Sequence, residues 1–186
     1  VLRQADGTQK QSSSAMQKLP EFGRLMQYDR AMEIAESLCD RLQPYCDKIE
    51  IGGSLRRGKS HVKDIEIICI RKTAVLSSFI GEIAKLGNPS KGQPLGKYMQ
   101  ISLKDHPIKL DLFMCYPDNW GLIYFIRTGS AVFVRNTMIE LQSNNWHCRG
   151  GYMYRTEQPQ KKVVTVTEKE VFERAGISYL HPKDRS

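Results

Sequence analysis

Ile49-Glu50-Ile51-Gly52-Gly53-Ser54-Leu55-Arg56-Arg57-Gly58-Lys59-Ser60-His61-Val62-Lys63-Asp64-Ile65-Glu66-Ile67-Ile68-Cys69-Ile70 is the stretch on which the fold turns. Its first three residues read as a short strand. Gly52-Gly53-Ser54 lets the backbone turn sharply, so that a helix can open from Leu55. The first amides of a helix have no intrahelical acceptor and attract phosphate oxygens. Lys63 to Ile70 reads as a second strand, isoleucine-rich and apolar beyond Glu66. Side chains alternate along a strand, so Asp64 and Glu66 project together while Ile65 and Ile67 point into a core. Two carboxylates at that spacing repel unless a cation lies between them.

Outward from this stretch, a third acid sits in Ile108-Lys109-Leu110-Asp111-Leu112-Phe113, where Leu110 and Leu112 share one face and Asp111 and Phe113 the other. An acid in an apolar strand is expensive to bury unless it is paired or metal-bound. Two acids at period-two spacing behind a Gly-Ser turn, joined by a third, can assemble a two-metal phosphoryl-transfer site. Magnesium takes hard oxygen ligands and keeps one or two carboxylates together with substrate phosphates, which makes it the natural ion.

Gly53-Ser54-Leu55-Arg56-Arg57-Gly58, Asp64-Ile65-Glu66 and Leu110-Asp111-Leu112 resemble the palm motifs of family X DNA polymerases, the DNA polymerase beta group. Downstream, Tyr124-Phe125 with Thr128-Gly129-Ser130 and Phe133 resembles that family's nucleotide-selection segment. Thr167 to Phe172, Tyr179 and Pro182-Lys183-Asp184-Arg185 resemble its C-terminal end. The likeness runs from about Phe22 onward, in the same order. The Gly-Ser and acidic motifs alone would indicate only the wider nucleotidyltransferase superfamily; the C-terminal block points to polymerases.

The resemblance implies an α+β fold. A nucleotidyltransferase palm, a mixed sheet with helices, would span residues 21–117, and a small C-terminal α/β nucleotide-binding lobe 118–186. It implies nucleotidyl transfer from a (deoxy)nucleoside triphosphate to a DNA 3′-hydroxyl, as template-directed, short, repair-type synthesis on primer-template or gapped duplex. Asp64, Glu66 and Asp111 would be the catalytic and metal-binding acids for two Mg2+ or Mn2+ ions, with Asp111 also accepting the hydroxyl proton. Gly53, Ser54, Arg57, Gly129 and Ser130 would bind the nucleotide, Arg24 would add a triphosphate contact, Arg56 would point away into solvent, and Lys59 would reach DNA or stay solvated. The layout resembles small viral members of the group that lack an N-terminal helical module.

The chain departs from the family pattern in four places. Glu66 replaces the usual Asp, Lys63 a frequent Gly, and Val134 an Asn that touches the base. Ile126-Arg127 intervene between Tyr124-Phe125 and Thr128-Gly129-Ser130, which displaces the aromatic wall against a ribose 2′-hydroxyl. Two other readings use the same residues: a nucleotidyltransferase acting on RNA, protein or a small molecule, and a non-catalytic nucleic-acid-binding module.

The 186 residues carry 28 Lys and Arg against 20 Asp and Glu, a formal charge of +8. Such an excess suits a polyanionic partner, because neutralising phosphates releases counterions. Five cysteines without a Cys-x-x-Cys pair point to reduced thiols in an intracellular, cytoplasm-like compartment, or in the nucleus or a viral replication site. His147-Cys148 has no companion ligands for zinc. No apolar run reaches the roughly 20 residues a membrane span needs, and a monomer is expected.

Residues 1–20 read as a flexible tail. Tyr28 to Leu42 reads as an amphipathic helix with Ala31, Ala35, Leu38 and Leu42 on one stripe, stopped by Pro44. Thr73 to Leu86 reads as a helix, followed by a Gly-, Pro- and Lys-rich loop. Lys97 to Leu103 pairs with the Asp111 strand as a hairpin, and Pro117-Asp118-Asn119 marks the lobe boundary. Ala131 to Ser143 reads as a helix; Tyr152 to Tyr154 and Lys161 to Val166 read as strands. A final helix follows a Thr167–Glu170 capping box and closes at Gly176.

Overall fold

Ala31, Ile34, Ala35, Leu38 and Leu42 recur every three or four residues, and that stripe becomes the buried face of helix α1 (Tyr28–Leu42). The computed structural model describes residues 25–186. The expectations for the tail at 1–20, Phe22 and Arg24 lie outside the described residues. Beyond α1, a 3-10 turn at Gln43–Tyr45 carries Pro44 into strand β2 (Cys46–Ile51). One turn of helix, α2 (Gly53–Arg56), and strand β4 (Asp64–Arg71) follow. Two two-residue strands, β1 (Met26–Gln27) and β3 (His61–Val62), pair antiparallel beside them.

A five-stranded mixed sheet forms the centre, in the order β2-β4-β7-β6-β5. Its remaining strands are β5 (Gly87–Gly92), β6 (Tyr98–Leu103) and β7 (Lys109–Met114). Only β4 and β7 run parallel; the other neighbours are antiparallel, including the β6–β7 hairpin. A parallel pair needs a crossover, and the chain makes it through α3 (Leu76–Leu86), preceded by a 3-10 turn at Thr73–Val75.

Strand alternation divides the sheet into two unlike faces. Ile65, Ile67, Cys69, Leu110, Leu112, Met99 and Ile101 face α1 and α3 in one core. On the opposite face Ile68, Ile70, Phe113, Cys115 and Trp120 form another cluster, closed by Ile123 and Tyr124 of α4 (Trp120–Thr128). The acids share this second face.

The expected Gly- and Pro-rich loop after α3 is in fact the edge strand β5. Pro89 lacks an amide donor, which an edge tolerates because one side of the strand has no partner. Beyond α4 come α5 (Ala131–Ser143), strands β8 (Trp146–Arg149), β9 (Tyr152–Arg155) and β10 (Gln158–Val163), and α6 (Glu168–Ala175). The last strand lies earlier than the expected Lys161–Val166. Leu122, Phe125, Leu141, Trp146, Met153 and Phe172 make the core of this half. Glu170 reciprocates to the Thr167 amide, and Gly176 adopts the left-handed conformation that ends α6. The architecture is a mixed α+β arrangement. No helix among the described residues is long and apolar enough to cross a membrane.

Candidate functional site

The β4–β7 register assembles the acids. It sets Glu66 opposite Asp111 and Asp64 opposite Lys109, and opposed residues on neighbouring strands share a face. Three carboxylates therefore project from one face, near the start of two parallel strands.

Each acid is held differently. Asp111 Oδ1 accepts from Tyr98 Oη and from Gln100 Nε2, both at 2.9 Å. Burial and that hydrogen bond push the Tyr98 hydroxyl up to about 12, so it stays a donor. Glu66 lies against the first residue of α2: a Cβ on Gly53 would overlap its carboxylate, and Gly53 sits at φ +61°. The positive φ favours glycine there, and an added methyl would also make the Glu66 side chain shift. Burial, then the Asp64 charge, push Glu66 up to about 7, with Asp111 adding to the rise and Arg127 and Arg57 opposing it. Asp64 is raised by burial and by Asp111, against the pull of Lys63.

The acids thus sit in one another's field, but among the described residues no group of three or more His, Cys, Asp or Glu side chains is arranged to hold a metal ion. A charge–charge interaction reaches well past a coordination sphere. Here Asp111 is turned toward Tyr98 and Gln100, while Glu66 rests on the Gly53 turn. The donor set itself suits a hard divalent cation, because carboxylates whose pKa values are raised first by burial and then by one another's charge gain from a positive charge between them.

Gly53 and Ser54 begin α2, two residues before the expected start at Leu55. Arg57 Nη1 donates to the Thr128 carbonyl at 2.6 Å, while its Nε is buried without a partner. This bond joins the Gly-Ser turn to the end of α4. Gly129 and Ser130 lie between α4 and α5, where Ser130 Oγ accepts from the Phe133 amide at 3.1 Å and caps α5. Gly53, Ser54, Arg57, Gly129 and Ser130 are therefore gathered by the Arg57–Thr128 contact, with the Ser130 hydroxyl already committed as a cap.

Arg56 corrects the expectation of a solvent-directed side chain. Its two Nη atoms each reach the Glu168 carboxylate at 2.7 Å, and Arg185 Nη1 donates to the same carboxylate at 2.6 Å. Arg56 also donates to Thr128 Oγ1 and stacks 3.8 Å above the Tyr124 ring. The driving force is compensation, since a buried carboxylate needs cations around it. Lys59 donates to Ser186 Oγ at 2.9 Å.

Tyr124 and Phe125 are both committed to packing. Phe125 is wholly buried in the second core, and Tyr124 is fixed between Trp120, Arg56 and the Ile51 carbonyl. Arg127 instead fronts a cavity of about 270 Å³, lined also by Lys97, Tyr98, Phe113, Ile126 and Gly151. Its guanidinium lies 4.0 Å from the Phe113 ring centre, and its Nε is buried without a partner. Val134, half-buried, packs against the core that holds Phe125.

Sequence reasoning missed Tyr98, Gln100 and the Arg56–Glu168–Arg185 cluster. Gln100 did carry a signal, as a lone polar residue in the apolar run Met99-Gln100-Ile101. Glu168 carried none, because an acid in the first turn of a helix has a sufficient local reason to be there. No family model matches this chain, and a search of curated proteins returns no match.

Proposed function

We propose that the chain is a metal-dependent nucleotidyltransferase that joins a (deoxy)nucleoside triphosphate to a DNA 3′-hydroxyl, in short, template-directed, repair-type synthesis. The observation that carries this reading is the β4–β7 register, which puts Glu66 opposite Asp111 with Asp64 on the same face and Gly53 closed over Glu66. On this reading the central sheet is the palm of a family X polymerase and residues 118–186 are its nucleotide-binding lobe. The formal charge of +8 suits a DNA partner.

Asp64, Glu66 and Asp111 would hold Mg2+ or Mn2+, which would supply charge neutralisation at the phosphates and a lowered pKa for the attacking hydroxyl. The remaining work falls to the chain. Ser54 Oγ and the unpaired amides at the start of α2 bind phosphate oxygens. Arg57 adds a charged donor from the nitrogens not used on Thr128. Asp111, oriented by Tyr98 and Gln100 on one oxygen, keeps the other for the proton leaving the 3′-hydroxyl. The covering α4 excludes water from the apolar end of the same sheet face.

Extension of a labelled primer with Mg2+ or Mn2+ on gapped, recessed and single-stranded DNA tests this reading. Extension on primed template is expected. Labelling of RNA or protein in place of DNA, or no transfer with either ion, would overturn it.

A further inference from the structure

We infer that Arg127 is a built-in counter-charge of the acid face: it competes with a divalent cation for the field of Asp64, Glu66 and Asp111, and yields when a triphosphate draws its guanidinium away. The inference deepens the proposed nucleotidyl-transfer reading and rests on it for the identity of the two ligands, but its observations concern a side chain given no role in that chemistry.

Position is the first observation. Phe113 stands two residues beyond Asp111 on the same face of β7, about 7 Å along the strand. The Arg127 guanidinium lies 4.0 Å from the Phe113 ring centre. Tyr98 stacks on Phe113 at 5.0 Å while its hydroxyl donates to Asp111. The cation is therefore one same-face position from the acids. The helix end that carries it is held there as well. The Gly52 amide donates to the Glu66 carbonyl at 2.8 Å, and a Cβ placed on Gly52 would come 3.2 Å from the Arg127 carbonyl oxygen. The last turn of α4 thus rests on the residue next to the one that Glu66 touches.

Pairing is the second observation. Among the described residues Arg41, Arg56, Arg174 and Arg185 each form an ion pair with a glutamate, whereas half-buried Arg127 forms none, and its Nε is buried without a partner. A cation withdrawn from water is costly to hold unless negative charge compensates it. No carboxylate is among the residues lining the cavity in front of Arg127, so the acids of the sheet face are its counter-ions, acting through space. Their mutual influence is visible at Glu66: burial and the Asp64 charge raise its pKa, and of the two cations that resist the rise Arg127 acts more strongly than Arg57.

The two cations exclude each other. A divalent ion held by the carboxylates turns Arg127 from a neighbour of negative charge into a neighbour of positive charge, so Arg127 lowers the affinity for metal alone. A triphosphate reverses that effect. Guanidinium matches phosphate oxygens, and the cavity of about 270 Å³ leaves the side chain room to turn. Once engaged with phosphate, Arg127 no longer opposes the metal. Couplings of this kind are reciprocal, and they make the acid face take up metal together with nucleotide instead of before it.

The test measures two affinities separately: Mn2+ by electron paramagnetic resonance without nucleotide, and a dATP analogue with a non-cleavable α,β-methylene bond by calorimetry in EDTA. Arg127→Gln removes the charge; Arg127→Met removes it but keeps an apolar stem on Phe113, and circular dichroism and melting temperature confirm the fold of each. Both variants should bind Mn2+ about tenfold tighter and the analogue about tenfold more weakly. Arg127→Lys should stay near wild type, and Arg30→Gln, which removes an exposed charge from α1, should change neither affinity. Opposite shifts are the signature, since a side chain that only packs on Phe113 would produce neither. Unchanged or weaker Mn2+ binding would overturn the counter-charge, and unchanged or undetectable analogue binding would overturn the coupling. Opposite shifts without primer extension by the wild type would sink the proposed activity and leave this inference standing. Extension with unshifted affinities would do the reverse.

Discussion

Arg185 and Glu168 meet in the interior, with Nη1 2.6 Å from Oε1 and the arginine side chain 0% exposed. Glu168 simultaneously receives Arg56 from α2, so one carboxylate joins the helical half of the molecule to the turn beside the acids. Removing one partner from such a group leaves charge buried without compensation. Glu168→Gln should lower the unfolding free energy in urea at pH 7 by about 3 kcal/mol. A loss under about 1 kcal/mol would mean that water or rearrangement already screens the cluster.

The same carboxylate carries a pH dependence. Burial alone would raise its pKa, but the hydrogen bonds from Arg56 and Arg185 outweigh burial and hold it below its ordinary 4.5. A depressed folded-state pKa contributes stability fully present above the unfolded value and lost as pH falls through the folded one. The stability difference between wild type and Glu168→Gln should therefore be constant above about pH 5 and shrink on acidification below 4.5. A difference that stays constant down to pH 2.5 would contradict the assigned ion pairs.

Asp64→Asn and Asp111→Asn should each reduce single-turnover primer extension by at least about a hundredfold, with melting temperatures close to wild type. Neutralising a crowded acid relieves repulsion in the fold while removing a cation ligand, so activity and stability should separate. Wild-type rates in either variant would exclude the carboxylate site.

Gly53→Ala tests the closure over Glu66. The added methyl meets that carboxylate in a backbone conformation unfavourable to alanine, a combination costing roughly 1–3 kcal/mol. Thermal unfolding should register the loss, and Mn2+ affinity measured by electron paramagnetic resonance should fall as Glu66 is displaced. Unaltered stability together with unaltered Mn2+ binding would show that the turn has slack.

With Phe125 in the core and Tyr124 held under Arg56, the polar side chain that α4 brings to the cavity is Arg127, a cation stacked on Phe113. An arginine can move aside for a ribose hydroxyl or hydrogen-bond to it, which a rigid ring cannot do. Discrimination between one matched dNTP and rNTP should be below about a thousandfold, or roughly 4 kcal/mol of differential transition-state binding. Stronger rejection of the ribonucleotide, measured as kcat/KM, would assign the selection to another group.

Much of the site's frame was legible because it depends on short-range periodicity. The stripe from Ala31 to Leu42 gave helix α1 at both ends, and the alternation of Asp64, Ile65, Glu66 and Ile67 gave the split between acid face and core. Edge strand β5 was hidden because Gly87, Pro89 and Gly92 argue for a loop wherever both sides of a strand must be paired, and here only one is. Helix α4 was obscured by reading Tyr124-Phe125 as a motif instead of as part of a nine-residue helix with one buried face. Arg56 was misjudged for a different reason: its partner lies in α6, and no local pattern announces a counter-charge so distant in sequence.

That distance has a consequence for how the molecule comes together. Arg56 and Glu168 are 112 residues apart, and their contact closes a loop that carries strands β4, β6 and β7 of the central sheet together with α4, α5 and the β8–β10 sheet. Closing so large a loop costs entropy that nearby contacts must first offset. In refolding, helix and sheet should return early within each half, and the junction at α2 should settle last. Recovery of metal binding would then lag behind recovery of the far-ultraviolet signal, so that the chain passes through a stage in which it is nearly native in outline and still inert.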